Sequence, residues 1–196
     1  MNQESLPNPS RRDGQATRMR LLEAATKILA LEGSDALTIN RVIRIAGVSK
    51  GTFLYHFPSR NHLLEAIARY YTKTMYRRIQ YFERIKKNKS AHPLLAGYLQ
   101  WYIDFQKGDD ALSGSSPLLS LVMASRKKKE LIEGLLQWYR ELYQRLDRPP
   151  EKKSEHLLLL MALDGLFFHN IFQTDVLSSE RRKELLQKIQ TMIENS

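Results

Sequence analysis

The stretch from Thr38 to Leu64, TINRVIRIAGVSKGTFLYHFPSRNHLL, constrains this chain more than any other, because it folds plausibly in one way only. Thr38 can cap a helix start, its hydroxyl accepting from a backbone N–H in the first turn. Ile39, Val42, Ile43 and Ala46 follow at helical spacing, which gives that helix one apolar face. Gly47 breaks it, since glycine takes the positive φ of a sharp helix exit. Ser49 caps a second short helix, in which Phe53, Leu54 and Phe57 supply the seating face. Lys50, Thr52, Tyr55 and His56 supply charge and hydrogen-bonding groups. Gly51 costs that helix about 1 kcal/mol relative to alanine, a sacrifice that makes sense where another backbone approaches closely. Pro58 ends the segment and Ser59 can cap the next helix.

Charge sharpens the reading. From Ala36 to Leu64 there is no Asp or Glu, while Arg41, Arg44, Lys50 and Arg60 are present. An acid-free, basic helix-turn-helix suits a polyanion. The whole chain of 196 residues carries a formal net charge of +10, which points to nucleic acid or a membrane surface as partner. Residues 1–60 hold nine Lys/Arg and five Asp/Glu, for +4, so the remaining +6 lies elsewhere.

The sequence resembles the amino-terminal domain of the TetR family of transcriptional regulators. The residues that carry the resemblance are Leu21, Leu22, Ala24, Ala25, Gly33, Thr38, Ile39, the run AGVSKGT, YHF and the LL pair at Leu63 and Leu64. One departure is Ile43, where the family usually has alanine under the inter-helix turn; the added bulk bears on the crossing angle of the two helices.

The expected fold is all-α: an amino-terminal three-helix helix-turn-helix domain, then a helical ligand-binding and dimerisation domain, about nine helices in all. Residues 1–14, polar with two prolines, read as a disordered arm in which Arg11 and Arg12, with Arg18 beyond them, lie within reach of phosphates. Residues 15–60 form the DNA-binding domain and 61–196 the sensing domain. Apolar spacing places helices at 15–32, 38–46, 49–57, 60–87, 91–107, 117–125, 127–146, 152–172 and 179–194. Lys127 to Lys129 fall on an exposed edge, and Pro149 with Pro150 stops the seventh helix. The segment LLLLMALDGLFFHNIF is apolar on nearly every side and needs cover from more than one direction. Burial within one chain and a two-fold dimer both meet that need. The dimer reading takes Leu160, Leu163, Phe167, Leu185, Leu186 and Ile189 as its contact.

The resemblance implies a homodimer whose second helix-turn-helix segments enter successive major grooves of a pseudo-palindromic operator, half-sites ~34 Å apart. Thr38, Lys50, Tyr55 and His56 then face phosphates, Ser49 and Thr52 face the groove, and Gly51 lets a sugar-phosphate strand come close. Arg41, Arg44 and Arg60 face phosphates or base edges; His56 serves equally well as an aromatic prop. In the second half, DGLFFHN followed by SSERRKELL is similar to members that sense small aromatic or multidrug-like compounds. Trp101, Phe105, Met123, Trp138, Tyr139 and Phe168 are candidates to line an apolar pocket, with Asp164 facing a cation or donor inside it. Aromatic stripes at this spacing also serve as plain core, and His169 reads as a buried histidine.

An enzyme is disfavoured. The chain has no cysteine, its five histidines show no metal-binding pairing, and no glycine-rich phosphate loop or serine elbow appears. No catalytic residue, metal or cofactor is expected. The absence of a long apolar run or signal core points to a cytoplasmic protein with no membrane partner. The competing reading is an architectural, nucleoid-type DNA binder that senses no small molecule.

Overall fold

The computed structural model describes residues 9–107, 132–147, 152–172, 174 and 176–195. Among them it shows eight helices: α1 (Pro9–Glu32), α2 (Ile39–Ala46), α3 (Lys50–His56), α4 (Arg60–Lys86), α5 (Pro93–Lys107), α6 (Glu133–Leu146), α7 (Lys153–Ile171) and α8 (Ser179–Asn195). No strand occurs among the described residues. Eight is the count among the described residues; the ninth expected helix, at 117–125, lies outside them, as do Lys127 to Lys129, Pro149 and Pro150.

The chain divides into two compact units, Met1–Ile67 and Ala68–Ser196. The division falls inside α4, so the first turns of that helix belong to the amino-terminal unit rather than beginning the second at residue 61. In this unit Leu21, Ala25, Ile28 and Leu29 of α1 share a core with Leu37, Val42, Phe53, Leu63, Leu64 and Ile67. Each such side chain contributes about 1.5 to 3 kcal/mol on burial. Helix α1 begins at Pro9, earlier than Gln15, so residues 9–14 of the expected disordered arm are helical. Proline is well suited to an opening turn. Gly14 does not break the helix, and a Cβ there would lie 3.9 Å from the His56 ring.

Local chemistry sets the helix ends. Gly33, at φ 81°, donates to the Leu29 carbonyl and closes α1. Thr38 Oγ1 accepts from Arg41 N–H, and Gly47, at φ 64°, ends α2. The Ile43 carbonyl accepts from both Gly47 and Val48, so the bulkier residue leaves the turn intact.

In the second unit α5 is the inner helix. Leu95, Tyr98, Trp101 and Tyr102 are enclosed, and α5 packs against both α7 and α8. Its approach to α4 is close enough to need glycine: a Cβ at Gly97 would stand 2.7 Å from the Glu83 nitrogen and 2.9 Å from the Ile79 carbonyl oxygen. Backbone cannot yield as a flexible side chain does. The structure thus predicts that Gly97→Ala lowers stability by about 1 to 3 kcal/mol. Gly134→Ala, which meets nothing within 4 Å, should be neutral or stabilising. Urea unfolding of the two variants measures the contrast.

Candidate nucleic-acid interface and ligand chamber

The reading head presents α3 outward. Ser49 Oγ accepts from Thr52 N–H at 3.0 Å and lies 2.9 Å from Thr52 Oγ1, which fixes the first turn. Phe53 and Phe57 seat the helix, and Arg18 of α1 lies 5.0 Å above the Phe57 ring, a structural contact rather than a free cation. Lys50 is exposed, Tyr55 is 83% exposed, and the half-buried His56 meets the Tyr55 ring edge-on at 5.0 Å. A Cβ at Gly51 would meet only Ser49 Oγ, at 3.7 Å, so nothing within the chain demands glycine there.

The arginines separate into three situations. Arg44 is exposed. Arg41 pairs with Glu32 at 2.5 Å. Arg60 points away from solvent: its Nε donates to the Leu37 carbonyl at 2.6 Å and its Nη2 to the Ser34 carbonyl at 2.5 Å. Arg60, expected to face phosphates or base edges, has two of its donors engaged in holding the turn between α1 and α2. Ser59 Oγ, accepting from His62 N–H, supplies the cap of α4. What remains outward-facing is cationic, hydroxyl-bearing and free of carboxylate, a surface matched to a phosphate backbone.

The second unit gathers a buried acid among rings. Asp164 Oδ1 accepts from Tyr98 Oη at 2.5 Å and from Tyr139 Oη at 3.0 Å. Tyr98 stacks on Trp138 at 6.1 Å and meets Trp101 edge-on at 5.4 Å. Burial pushes the Asp164 carboxyl up to about 6, against the downward pull of the two tyrosine hydrogen bonds. Burial also raises both phenols, so they remain donors. Trp138, Tyr139 and Asp164 are thus brought together. Trp101 and Phe105 pack ring on ring with Phe167 as core, and the buried Trp101 Nε1 has no hydrogen-bond partner. Phe168 is only half-buried, and Met123 lies outside the described residues.

Tyr98 is the member that sequence reasoning missed. Its spacing of three from Trp101 and four from Tyr102 was the available signal, but an aromatic face does not say which ring reaches a partner.

A family described as Tetracyclin repressor-like, C-terminal domain, matches residues 96–194, and one described as Bacterial regulatory proteins, tetR family, matches residues 21–67. The chain belongs to the TetR family. Members are transcriptional regulators rather than enzymes. The HTH-type regulator YvdT of Bacillus subtilis is 37% identical over 49 residues, a quarter of each chain. A regulator structure from Pseudomonas aeruginosa PAO1 superposes with a TM-score of 0.70 at 16% identity, covering 96% of this chain and 91% of that one. The multidrug binding protein EbrR complexed with malachite green gives 0.67 at 19%, covering 88% and 96%.

Within this TetR-family chain the expected dimer residues need correction. Leu160, Leu163 and Phe167 of α7 and Ile189 of α8 are buried within the chain itself, and Leu186 is half-buried. The bare apolar side of α7 is instead Leu158, 63% exposed, and Met161, 46%, with Phe172 just beyond the helix; Leu185 of α8 is also exposed. A helix apolar all round gives no phase from sequence, and intrachain packing chose the other side. His169 is exposed and bonds Thr174 Oγ1; the buried histidine is His156, whose Nδ1 meets the Leu146 carbonyl. Among the described residues no helix is long and apolar enough to cross a membrane.

The buried acid predicts a pH signature. Because the native state holds the Asp164 proton more tightly than the unfolded chain, stability falls as pH rises from about 4 to about 6, and the penalty is complete above that. Asp164→Asn removes this dependence. Relative to the parent, the variant should gain up to about 3 kcal/mol between pH 4 and pH 7, measured by urea unfolding. His92, held down to about 4 chiefly by burial and then by His156, has the opposite slope and cancels in the difference.

Proposed function

We propose that this TetR-family chain is a ligand-responsive repressor that binds a pseudo-palindromic duplex operator as a two-fold homodimer. A small, largely apolar or aromatic molecule releases it. The observation that carries the reading is the outward, carboxylate-free side of α3, with Lys50 and Tyr55 bare and a glycine at position 51 that the chain itself does not need. Lys50, Tyr55, His56 and Thr38 serve phosphates, Ser49 and Thr52 the groove, and Arg44 and Arg41 phosphates or base edges. Arg41 must exchange Glu32 for the nucleic acid.

The exposed side of α7 supports the homodimer: Leu158 and Met161, continued by Phe172 beyond its end, follow one line at helical spacing. For the ligand, the support is the ring-lined acid Asp164, which favours an aromatic body with a donor or cation. EbrR, a structural relative, is described as a multidrug binding protein and has been solved with malachite green and with proflavin. Release requires the ligand to favour the state that does not fit the operator, since equal affinity for both states shifts nothing.

Selection of bound duplex from random sequence tests the reading. A regulator should prefer its operator over scrambled DNA by ~10³ or more at physiological salt; equal affinity for both would favour an architectural binder. Lys50→Ala should weaken operator and scrambled DNA alike and reduce the salt slope by about one counterion per subunit. Gly51→Ala should leave thermal stability unchanged or raised while weakening operator binding. For assembly, the paired change Leu158→Glu and Met161→Glu should yield monomers in sedimentation with folded helical content and much weaker operator binding. A dimer that persists would refute this contact.

A further inference from the structure

An opening in the second unit lies apart from the ring-lined acid. It is a cleft of about 560 Å³ where the end of α4, the start of α5 and the end of α6 meet. Its mouth carries Arg84, Lys87 and Arg145 against a single carboxylate, Glu83, and that carboxylate is already paired with Arg145. Arg84 and Lys87 are exposed, and neither has an ion-pair partner among the described residues. Three cations against one acid leave the mouth with a charge of +2.

Two further features point to what would lie there. The amino end of α5 opens on the cleft through Pro93 and Leu94, adding the positive end of a 15-residue helix. The cleft also continues inward. Gln80, Leu94 and Arg145 line both it and a narrow throat of about 20 Å³, which is also lined by Ile79, Trp138, Leu142 and one further carboxylate, Glu141. A space of that size holds about one water, so the body of a ligand rests in the outer cleft against Pro93 and Leu94, with its tip toward Trp138. His92, kept neutral by burial and by the His156 ring at 4.1 Å, accepts from Leu95 N–H through Nδ1 and adds no charge near neutrality.

We propose that this cleft is a second small-molecule site, for an amphiphilic anion: a carboxylate held by Arg84 and Lys87, on a flat apolar body seated against Pro93 and Leu94. Its charge preference is the reverse of that at Asp164. The inference does not rest on the regulator reading, because binding is measured without nucleic acid.

The test uses three probes that share one ring system and differ in head charge: 1-naphthoate, 1-naphthylmethanol and 1-naphthylmethylammonium. Calorimetry with the full chain at pH 7 should show naphthoate binding, the alcohol bound more weakly, and the ammonium weakest. The charge reversal Arg84→Glu with Lys87→Glu, both on exposed side chains, should weaken naphthoate about tenfold or more with helical content and melting temperature unchanged. Glu83→Gln, which removes the one acid at the mouth, should tighten it severalfold, and Asp164→Asn should leave it unaltered. No naphthoate binding at millimolar concentration, equal binding of the three probes, or an affinity indifferent to the charge reversal would overturn the proposal. Loss of naphthoate binding in Asp164→Asn would also overturn it, by moving the anion to the ring-lined acid.

Discussion

The reading head depends on one guanidinium. Arg60, at the first position of α4, donates to the carbonyls of Ser34 and Leu37 in the turn that joins α1 to α2. Those carbonyls lie beyond the end of α1; that of Ser34 also accepts from the Leu37 N–H. A charged donor reaching two of them from a later helix is stronger than a neutral hydrogen bond, and here it is half-buried. It fixes where the chain re-enters helix at Thr38, and from there caps and glycines place α2 and α3 in turn. One of the three arginines expected at phosphates or base edges thus braces the frame that presents the others.

The second unit is organised by a different necessity, a carboxyl group among aromatic rings. An unpaired buried carboxylate is costly, and Tyr98 and Tyr139 offset part of that by donating to the same oxygen. Both come from helices other than α7, so the acid ties α5 and α6 to it. The raised proton affinity shows that the offset is incomplete. A site that remains under-solvated in this way is receptive to a further donor.

Legibility in the sequence followed the range of the interactions. Thr38, Gly47 and Ser49 act within three or four residues of themselves, and each has the role its type and spacing indicate. Arg60 acts across more than twenty residues, and a lone arginine beside a cap gives no hint of that. The same holds for α7, where leucines on every side leave the buried direction to be chosen by α5 and α6. His169, expected to be buried, is exposed for the same reason. Helix α1 extends to Pro9, through residues whose composition alone suggests an unstructured arm.

Helix α7 carries Asp164 on its inner side and Leu158 and Met161 on its outer one. A rigid rod cannot rotate about its axis without disturbing both sides together. If the proposed dimer forms on the outer side and the proposed ligand binds at the inner acid, the two events become one coupled equilibrium. Ligand affinity would then vary with how much of the protein is present, and dilution itself would act as an effector.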